Sequence, residues 1–339
     1  MQTYQKTGTF WLILLIFQIS NNGSEIIAQT SEKPDEQFSP HGQPQALIFT
    51  DVYYTFNKAG DSKAFEVTRA YLGYEYFFSQ KIYSRITFDV GDPGAGNHKM
   101  AALLKFAYLQ YKSDKFSTRF GMIPTNQFTL QESTWGYRYI AKSFQDAYRF
   151  GPSADLGASA EYTPSDIVSF DISILNGEGY KNIQIDSSFK ATIGFTIKPV
   201  EGLSFRAYYD YMNSDNTQTS AAFFAGYSVK KFRAGVEYNM QKNNELKKDH
   251  DFSGFSAYSS FRLDDKFTVF ARYDYLTSAV PENATEPWNS MKDGQLLLAG
   301  FDYNPVKGVK IAPSFAQYFP YDDTLNISTR LGLYFELRF

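Results

Sequence analysis

The stretch NISTRLGLYFELRF, from Asn326 to the C-terminal Phe339, decides the fold class of this chain. Leucine or phenylalanine occupies every second position from Leu331 to Phe339, and glycine, tyrosine and charged residues occupy the positions between them. Successive side chains of a β-strand point to opposite faces. The period of two therefore predicts a strand with one apolar and one polar face.

The same alternation recurs along most of the chain, in segments of about ten residues separated by turn residues, which is typical of transmembrane β-barrels. Tyrosine and phenylalanine are abundant, with 26 and 32 copies among 339 residues. Barrels place aromatic side chains at both membrane interfaces, where a tyrosine ring is buried and its hydroxyl stays hydrated. The sequence therefore predicts an all-β fold, a transmembrane antiparallel β-barrel.

The chain divides into three predicted regions. Residues 1–28 predict a signal peptide, because the apolar run from Phe10 to Ile19 is about ten residues long and a spanning helix needs roughly 20. Ala28 lies where a signal peptidase could cut. Residues 29–44 are polar, contain Pro34, Pro40 and Pro44, and predict a flexible periplasmic arm. Residues 45–339 are predicted to form the outer-membrane barrel.

The connections between strands support this prediction. Alternation bounded by turn residues gives about sixteen candidate strands from residue 45 onward. Counted from a periplasmic N-terminus, the even connections are tight, for example residues 79–81 and 113–115, whereas most odd connections are longer and rich in Gly, Asn and Asp. Short periplasmic turns and longer external loops are typical of outer-membrane barrels. Porins of 16–18 strands enclose an aqueous channel, so an open channel is expected.

The alternation also assigns the two faces of each strand. In the segment 203–213, Phe205 and Tyr209 share one face, and Arg206 and Asp210 share the other. A lipid-facing Arg or Lys near the bilayer midplane costs roughly 2–4 kcal/mol, so the charged face is expected to line the lumen. The predicted pore-lining cations, including three from the third external connection, are Arg69, Arg85, Arg119, Arg138, Lys142, Arg149, Arg206, Arg233 and Arg272.

Two interpretations of these cations remain open. Arginine binds phosphate and carboxylate groups through two parallel hydrogen bonds, so a continuous track of arginines could attract and pass anions. Acids such as Asp89, Asp210, Glu237 and Asp274 lie between the arginines, so the same residues could instead form cross-strand ion pairs that stiffen the wall. A binding track would leave some of the cations without an acidic partner.

The third external connection, residues 124–153, is about thirty residues long, whereas hairpin loops usually have 2–5. It is dense in rings and charges, among them Trp135, Tyr137 and Tyr139. A solvated loop has little reason to hold so many aromatic residues. We therefore expect this loop to fold into the lumen and to set the size and charge of a constriction. An external cap and a contact between subunits are the alternatives.

Four motifs carry a resemblance to a known family: RFGMIPT from Arg119, WGYRYI from Trp135, SADLG from Ser153 and NGEGY from Asn176. They resemble the third-loop region of the phosphate-selective porin O and P family, and the resemblance covers most of residues 45–339. It implies a sixteen-stranded barrel, usually a homotrimer, with an inward-folded third loop and a basic track in the phosphate-binding members. This chain differs in the acids between its arginines. The final LYFELRF looks like the signal read by the barrel-assembly machinery.

Other functional classes find little support. Catalytic barrels need a histidine near the rim, and His41, His98 and His250 are all expected in the arm or in loops. No cysteine is present and the net charge is −3, so thiolate metal sites are excluded and nucleic-acid binding is unsupported. We expect a non-enzymatic porin without cofactor or metal, passing small hydrophilic solutes with a mild anion preference, in the outer membrane of a Gram-negative bacterium. A closed barrel acting as a receptor or adhesin is the alternative.

Overall fold

The computed structural model describes residues 38–91, 100–184 and 187–339. The predicted signal peptide, residues 29–37 of the predicted arm and His98 lie outside these residues. Within them, a compact unit comprises Ser39–Phe339. No helix in this part of the chain is long and apolar enough to cross a membrane.

Sixteen strands form one closed antiparallel barrel in the described residues, which confirms the predicted fold class. The strands are β1 (His41–Asn57), β2 (Ser62–Phe77), β3 (Ile82–Gly91), β4 (Ala101–Lys112), β5 (Phe116–Pro124), β6 (Ala154–Ser165), β7 (Val168–Leu175), β8 (Lys190–Ile197), β9 (Leu203–Asn213), β10 (Thr217–Ser228), β11 (Phe232–Lys242), β12 (Phe252–Arg262), β13 (Phe267–Ser278), β14 (Gly294–Val306), β15 (Val309–Pro320) and β16 (Ser328–Arg338). Each strand pairs with its sequence neighbours, and β1 pairs with β16 to close the ring.

The first strand begins earlier than predicted. β1 starts at His41, so residues 41–44 belong to the barrel and not to the flexible arm. Pro44 lies opposite Tyr74 of β2, and His41 lies opposite Phe77 with the two rings stacked 5.0 Å apart. Proline has no N–H to donate and is confined to edge positions of a sheet. β1 pairs with β16 only from Leu47 onward, so Pro44 has a strand on one side alone.

The connections sort by parity as predicted. The even ones are short turns, for example residues 113–115 between β4 and β5 and residues 307–308 between β14 and β15. Most odd ones are longer, and the longest spans residues 125–153 between β5 and β6. This segment contains two short helices, α1 (Thr129–Trp135) and α2 (Phe144–Ala147). A single 3-10 turn, Asn244–Leu246, lies in the connection between β11 and β12.

The two faces of the wall differ as the alternation predicts. One face is apolar and exposed, with Phe120 74% and Ile172 56% accessible. The other face buries charged side chains, among them Asp171, Arg206 and Asp210. A soluble protein rarely exposes contiguous apolar surface of more than a few hundred Å², so an apolar belt around a whole barrel indicates a lipid environment.

Candidate functional site

The segment 125–153 is folded around α1 and α2. Gly136 follows the last residue of α1 and has a φ of +74°, which suits glycine. Its N–H donates to the carbonyl of Glu132 at 2.9 Å. A β-carbon at this position would overlap the guanidinium of Arg233. The glycine therefore both ends the helix and allows the segment to lie close against β11.

An aromatic cluster joins the segment to the barrel wall. Trp135, Tyr137 and Tyr139 are only 1–3% exposed. Trp135 packs edge-on against Tyr258 of β12 at 5.4 Å, and Tyr137 stacks on Phe270 of β13 at 4.6 Å between ring centroids. Burying one such ring contributes roughly 1.5–3 kcal/mol, so three of them fix the position of this part of the segment.

The same cluster extends far around the ring of strands. Its buried members outside the segment come from β1, β10, β12, β13, β14, β15 and β16, and they are Phe49, Phe224, Tyr258, Phe270, Leu298, Ala312 and Tyr334. A second cluster holds the following turn, where Phe150 stacks on Phe252 of β12 at 4.2 Å. The sequence itself shows that the segment is rich in aromatic residues, but it did not predict which residues of the wall they contact.

Hydrogen bonds also attach the segment to the wall, and Gln241 Nε2 of β11 donates one to the Phe150 carbonyl at 2.9 Å. Four others are Tyr139 Oη to Asp302 Oδ1 at 2.6 Å, Tyr258 Oη to the Gln131 carbonyl at 2.9 Å, Arg206 Nη2 to the Asn126 carbonyl at 2.8 Å and Arg272 Nη1 to the Lys142 carbonyl at 2.6 Å. Two of the four come from arginines of the wall to backbone carbonyls. Such charge-assisted bonds are stronger than neutral ones. The segment is thus held by the wall near its start and near its middle.

Most of the predicted wall arginines are paired with acids. Arg206 donates to both carboxylate oxygens of Asp171 at 2.7 and 3.0 Å, and Arg272 donates to both of Asp274 at 2.8 and 2.6 Å. Two more of the predicted arginines pair with wall acids, in Arg69–Asp89 at 3.0 Å and Arg85–Glu75 at 3.5 Å. Three of these four pairs join different strands, as one of the two interpretations expects, whereas the Arg272 pair lies within β13.

Three predicted cations have no acid within 4 Å among the residues that the structure describes. Arg119 donates to the amide oxygens of Gln110 and Asn126 at 2.9 and 3.3 Å, and Arg233 lies over the Tyr137 ring at 5.2 Å. Arg149 is exposed and has a φ of +62°. The structure therefore leaves some of the arginines without a compensating charge.

Arg138 and Lys142 share one acid. Arg138 Nη1 donates to Glu132 at 2.5 Å and to Asp146, and Lys142 Nζ lies 3.4 Å from Asp146. Burial alone would raise the pKa of the Asp146 carboxyl, but Arg138 and then Lys142 lower it to about 2. Arg138 also donates to Tyr71 Oη of β2 at 3.4 Å, so the segment's ion pairs reach the wall.

A buried lysine next to these residues was not predicted from the sequence. Lys105 of β4 is 5% exposed, and its Nζ lies 3.4 Å from Tyr71 Oη and 4.6 Å from the centre of that ring. No acid of the described residues lies within 4 Å of it. The register of β3 against β4 shifts between Thr87 and Phe88, which leaves Lys105 without a partner position. This bulge interrupts the alternation, and a lone charge inside the apolar run 101–109 is the only sequence signal.

Five cations therefore gather where the segment meets β2 and β4. We define the basic cluster as Arg69, Lys105, Arg138, Lys142 and Lys181. Burial lowers the pKa of Lys181, and the positive charges of Arg69 and Lys142 lower it further, which is the effect of nearby like charges. Three acids, Asp89, Glu132 and Asp146, neutralise part of this charge, and the cluster without Lys181 still has one more cation than acids.

The histidines and acids show no metal-binding arrangement. No group of three or more His, Cys, Asp or Glu side chains in the described ranges could hold a metal ion. His250 stacks on Trp288 at 4.6 Å in the connections beyond β11 and β13. His41, predicted to lie in the arm, belongs to β1.

Comparisons with known proteins place the fold. No family model and no curated protein matches this sequence. Among solved structures, OprB of Pseudomonas putida at high pH aligns with a TM-score of 0.69 and 8% identity, over 88% of this chain and 94% of OprB. The outer membrane channel DcaP of Acinetobacter baumannii aligns at 0.64 and 12%, over 88% and 97%. The trimer form of OmpT of Vibrio cholerae aligns at 0.56 and 11%, over 88% and 99%. This chain therefore has the fold of outer-membrane porins.

Proposed function

We propose that this protein is a porin in the outer membrane of a Gram-negative bacterium, through which small hydrophilic solutes diffuse passively. The observation that carries the proposal is a closed sixteen-stranded barrel with an exposed apolar face and a charged buried face. An apolar belt fits lipid, and barrels of this size enclose an aqueous channel. DcaP of Acinetobacter baumannii, which shares the fold, is an outer membrane channel, and this agrees with the proposed function.

In this proposal, the segment 125–153 folds into the lumen and forms the constriction. The support is its contact with side chains of β1, β2, β9, β11, β12, β13 and β14, among them Phe49, Arg206 and Phe270. A segment outside the barrel could not touch so many strands on their polar face. Because three of its aromatic rings are buried, the segment is fixed in one position, as a constriction that selects solutes by size requires.

The basic cluster gives the channel a mild anion preference. Even without Lys181 the cluster has an excess of positive charge, which lowers the free energy of an anion at the constriction and raises that of a cation. Strict phosphate selectivity is disfavoured, because a phosphate would compete with acids already bound to Arg69, Arg138, Arg206 and Arg272. The resemblance to the phosphate-selective porin O and P family thus extends to the architecture and not to the selectivity.

The partners follow from the architecture. Outer-membrane lipid surrounds the apolar belt, and the last strand, Ser328–Arg338, presents the C-terminal signal to the barrel-assembly machinery. A homotrimer agrees with the trimer named for OmpT of Vibrio cholerae. Residues 1–28 act as the export signal, and the residues between this signal and β1 form a periplasmic arm.

Single-channel recording of the refolded mature protein in a planar bilayer tests the proposal. Discrete conductance steps with a reversal potential shifted towards the anion, and no block by millimolar phosphate, are the expected result. Block by phosphate would instead support a selective arginine track. Folded, inserted protein without any steps would overturn the porin function and favour a closed receptor or adhesin.

A further inference from the structure

A buried carboxylate behind α2 lacks a counter-charge. Glu237 of β11 is 1% exposed, and no Lys, Arg or His of the described residues lies within 4 Å of its carboxylate. Its Oε2 accepts a hydrogen bond from Asn239 Nδ2 at 3.0 Å, and its Oε1 accepts none. Asp274 of β13, which is also deeply buried, differs in this respect, since Arg272 binds both of its oxygens.

Two further oxygens without partners lie beside it. Asn239 Oδ1 and Ser256 Oγ are fully buried, and neither makes a hydrogen bond. Ser256 of β12 lies directly opposite Glu237 in the register, and side chains in such pairs are about 5 Å apart at their β-carbons. The side-chain amide of Gln145 of α2 lies within hydrogen-bonding reach of the Glu237 carboxylate. Three buried oxygens without partners therefore lie on neighbouring side chains of β11 and β12, next to α2.

The charges around these three oxygens do not balance. Ser256 lies between Glu237 and Asp274 in the register of three neighbouring strands. The two carboxylates face a single guanidinium, Arg272, and both of its bonds to Asp274 are short. One negative charge is left over in a place closed to bulk water. An isolated buried charge is strongly unfavourable unless a counter-charge is bound with it.

We infer that Glu237 Oε1, Asn239 Oδ1 and Ser256 Oγ bind a small monovalent metal cation, of which Na⁺ is the probe used below. The three atoms are oxygen ligands, as alkali cations require. The single positive charge of the cation balances the one uncompensated negative charge of the carboxylates. Buried waters can complete the coordination shell. A bound cation would also hold Gln145 and α2 against the wall, and it would therefore stabilise the segment 125–153.

Thermal unfolding of the folded protein in detergent tests the inference. The midpoint is measured by circular dichroism in NaCl and in choline chloride at equal ionic strength, since choline is much larger than Na⁺ and cannot replace it between buried oxygens. We expect a midpoint about 3 °C higher in NaCl, as for a ligand that binds only the folded state. Glu237→Gln should lose this difference. Glu336→Gln is the matched control, because Glu336 is similarly buried but pairs with Lys310 at 3.0 Å, and it should keep the difference.

Two results would overturn the inference. Equal midpoints of the unmodified protein in both salts would mean that a proton or water compensates Glu237. A sodium effect retained in Glu237→Gln would place the effect elsewhere. Should Glu237→Gln fail to fold, Ser256→Ala keeps the charge and removes one ligand, so the Na⁺ concentration for half of the stabilisation should rise about tenfold. An unchanged Na⁺ dependence in Ser256→Ala would equally refute the site.

Discussion

Replacing Lys142 with Gln would remove one charge from the basic cluster while leaving the fold intact. The Lys142 side chain is 42% exposed, whereas those of Arg69 and Arg138 are 15% and 16% exposed. Its partner Asp146 keeps Arg138 as a second cation. Exposed ion pairs contribute only about 0.2–1 kcal/mol, so the variant should fold and insert normally.

The size of the effect follows from Coulomb's law. An ion that passes about 6 Å from the ammonium in water interacts with it by about 0.7 kcal/mol. Screening at 0.1 M salt, where the Debye length is about 10 Å, reduces this value to about 0.4 kcal/mol. The sign is opposite for anions and cations, so their free-energy difference changes by about 0.8 kcal/mol. The permeability ratio of chloride to potassium should therefore fall about fourfold.

Reversal potentials across a KCl gradient measure this ratio for single channels in a planar bilayer. Lys247→Gln provides the matched control, because Lys247 pairs with Glu245 at 2.8 Å but lies in the connection between β11 and β12. Its ratio should equal that of the unmodified protein. A ratio that stays unchanged in Lys142→Gln, or that falls equally in the control, would refute the placement of the basic cluster at the constriction.

Three further predictions concern the same segment. Arg138→Glu should lower the chloride-to-potassium ratio more than Lys142→Gln, because it reverses a charge, and an unchanged ratio in folded protein would remove Arg138 from the site. Tyr139→Phe should lower stability by about 1.5–3 kcal/mol, measured by thermal unfolding, because it removes the bond to Asp302. Tyr273→Phe is the control, because the Tyr273 hydroxyl donates to Gln295 at an exposed position. Equal losses of stability in the two variants would contradict the reasoning. The pKa of Asp146, about 2, lies below its ordinary 3.8, so its ion pairs stabilise fully above pH 4 and are lost as the pH falls through about 2. The thermal unfolding midpoint of the unmodified protein should therefore fall over this pH range, and this fall should be absent in Asp146→Asn.

The strands were predictable because their signals are local. A period of two and the turn residues between segments depend on neighbours in sequence, so the strand number and the parity of the connections followed from them. Lys105 was missed because the bulge between β3 and β4 is set by how the ring closes and breaks the alternation. Pro44 was assigned to the arm because proline usually ends a strand, but β1 runs beyond its pairing with β16.

The ion pairs of the candidate site were harder to predict than its residues. The alternation predicts that Arg206 and Arg272 belong to the charged face, but it does not say which acid each one binds. Arg206 binds Asp171, which lies two strands away, whereas Arg272 binds Asp274 on its own strand. These choices depend on side-chain reach across strands, and on the segment 125–153, whose carbonyls take a further bond from each arginine.

The seam between β1 and β16 sets the order of events during assembly. Leu47 pairs with Arg338, and the Phe339 N–H donates to the Ala46 carbonyl at 3.0 Å, so β1 lacks one of its two neighbours until β16 has been made. Until then both edges of the sheet expose unpaired backbone groups, which can neither enter lipid nor meet each other. Closing a contact between such distant positions is slow. The barrel can therefore close only after β16 has been synthesised, and a chain without β16 would keep two open sheet edges.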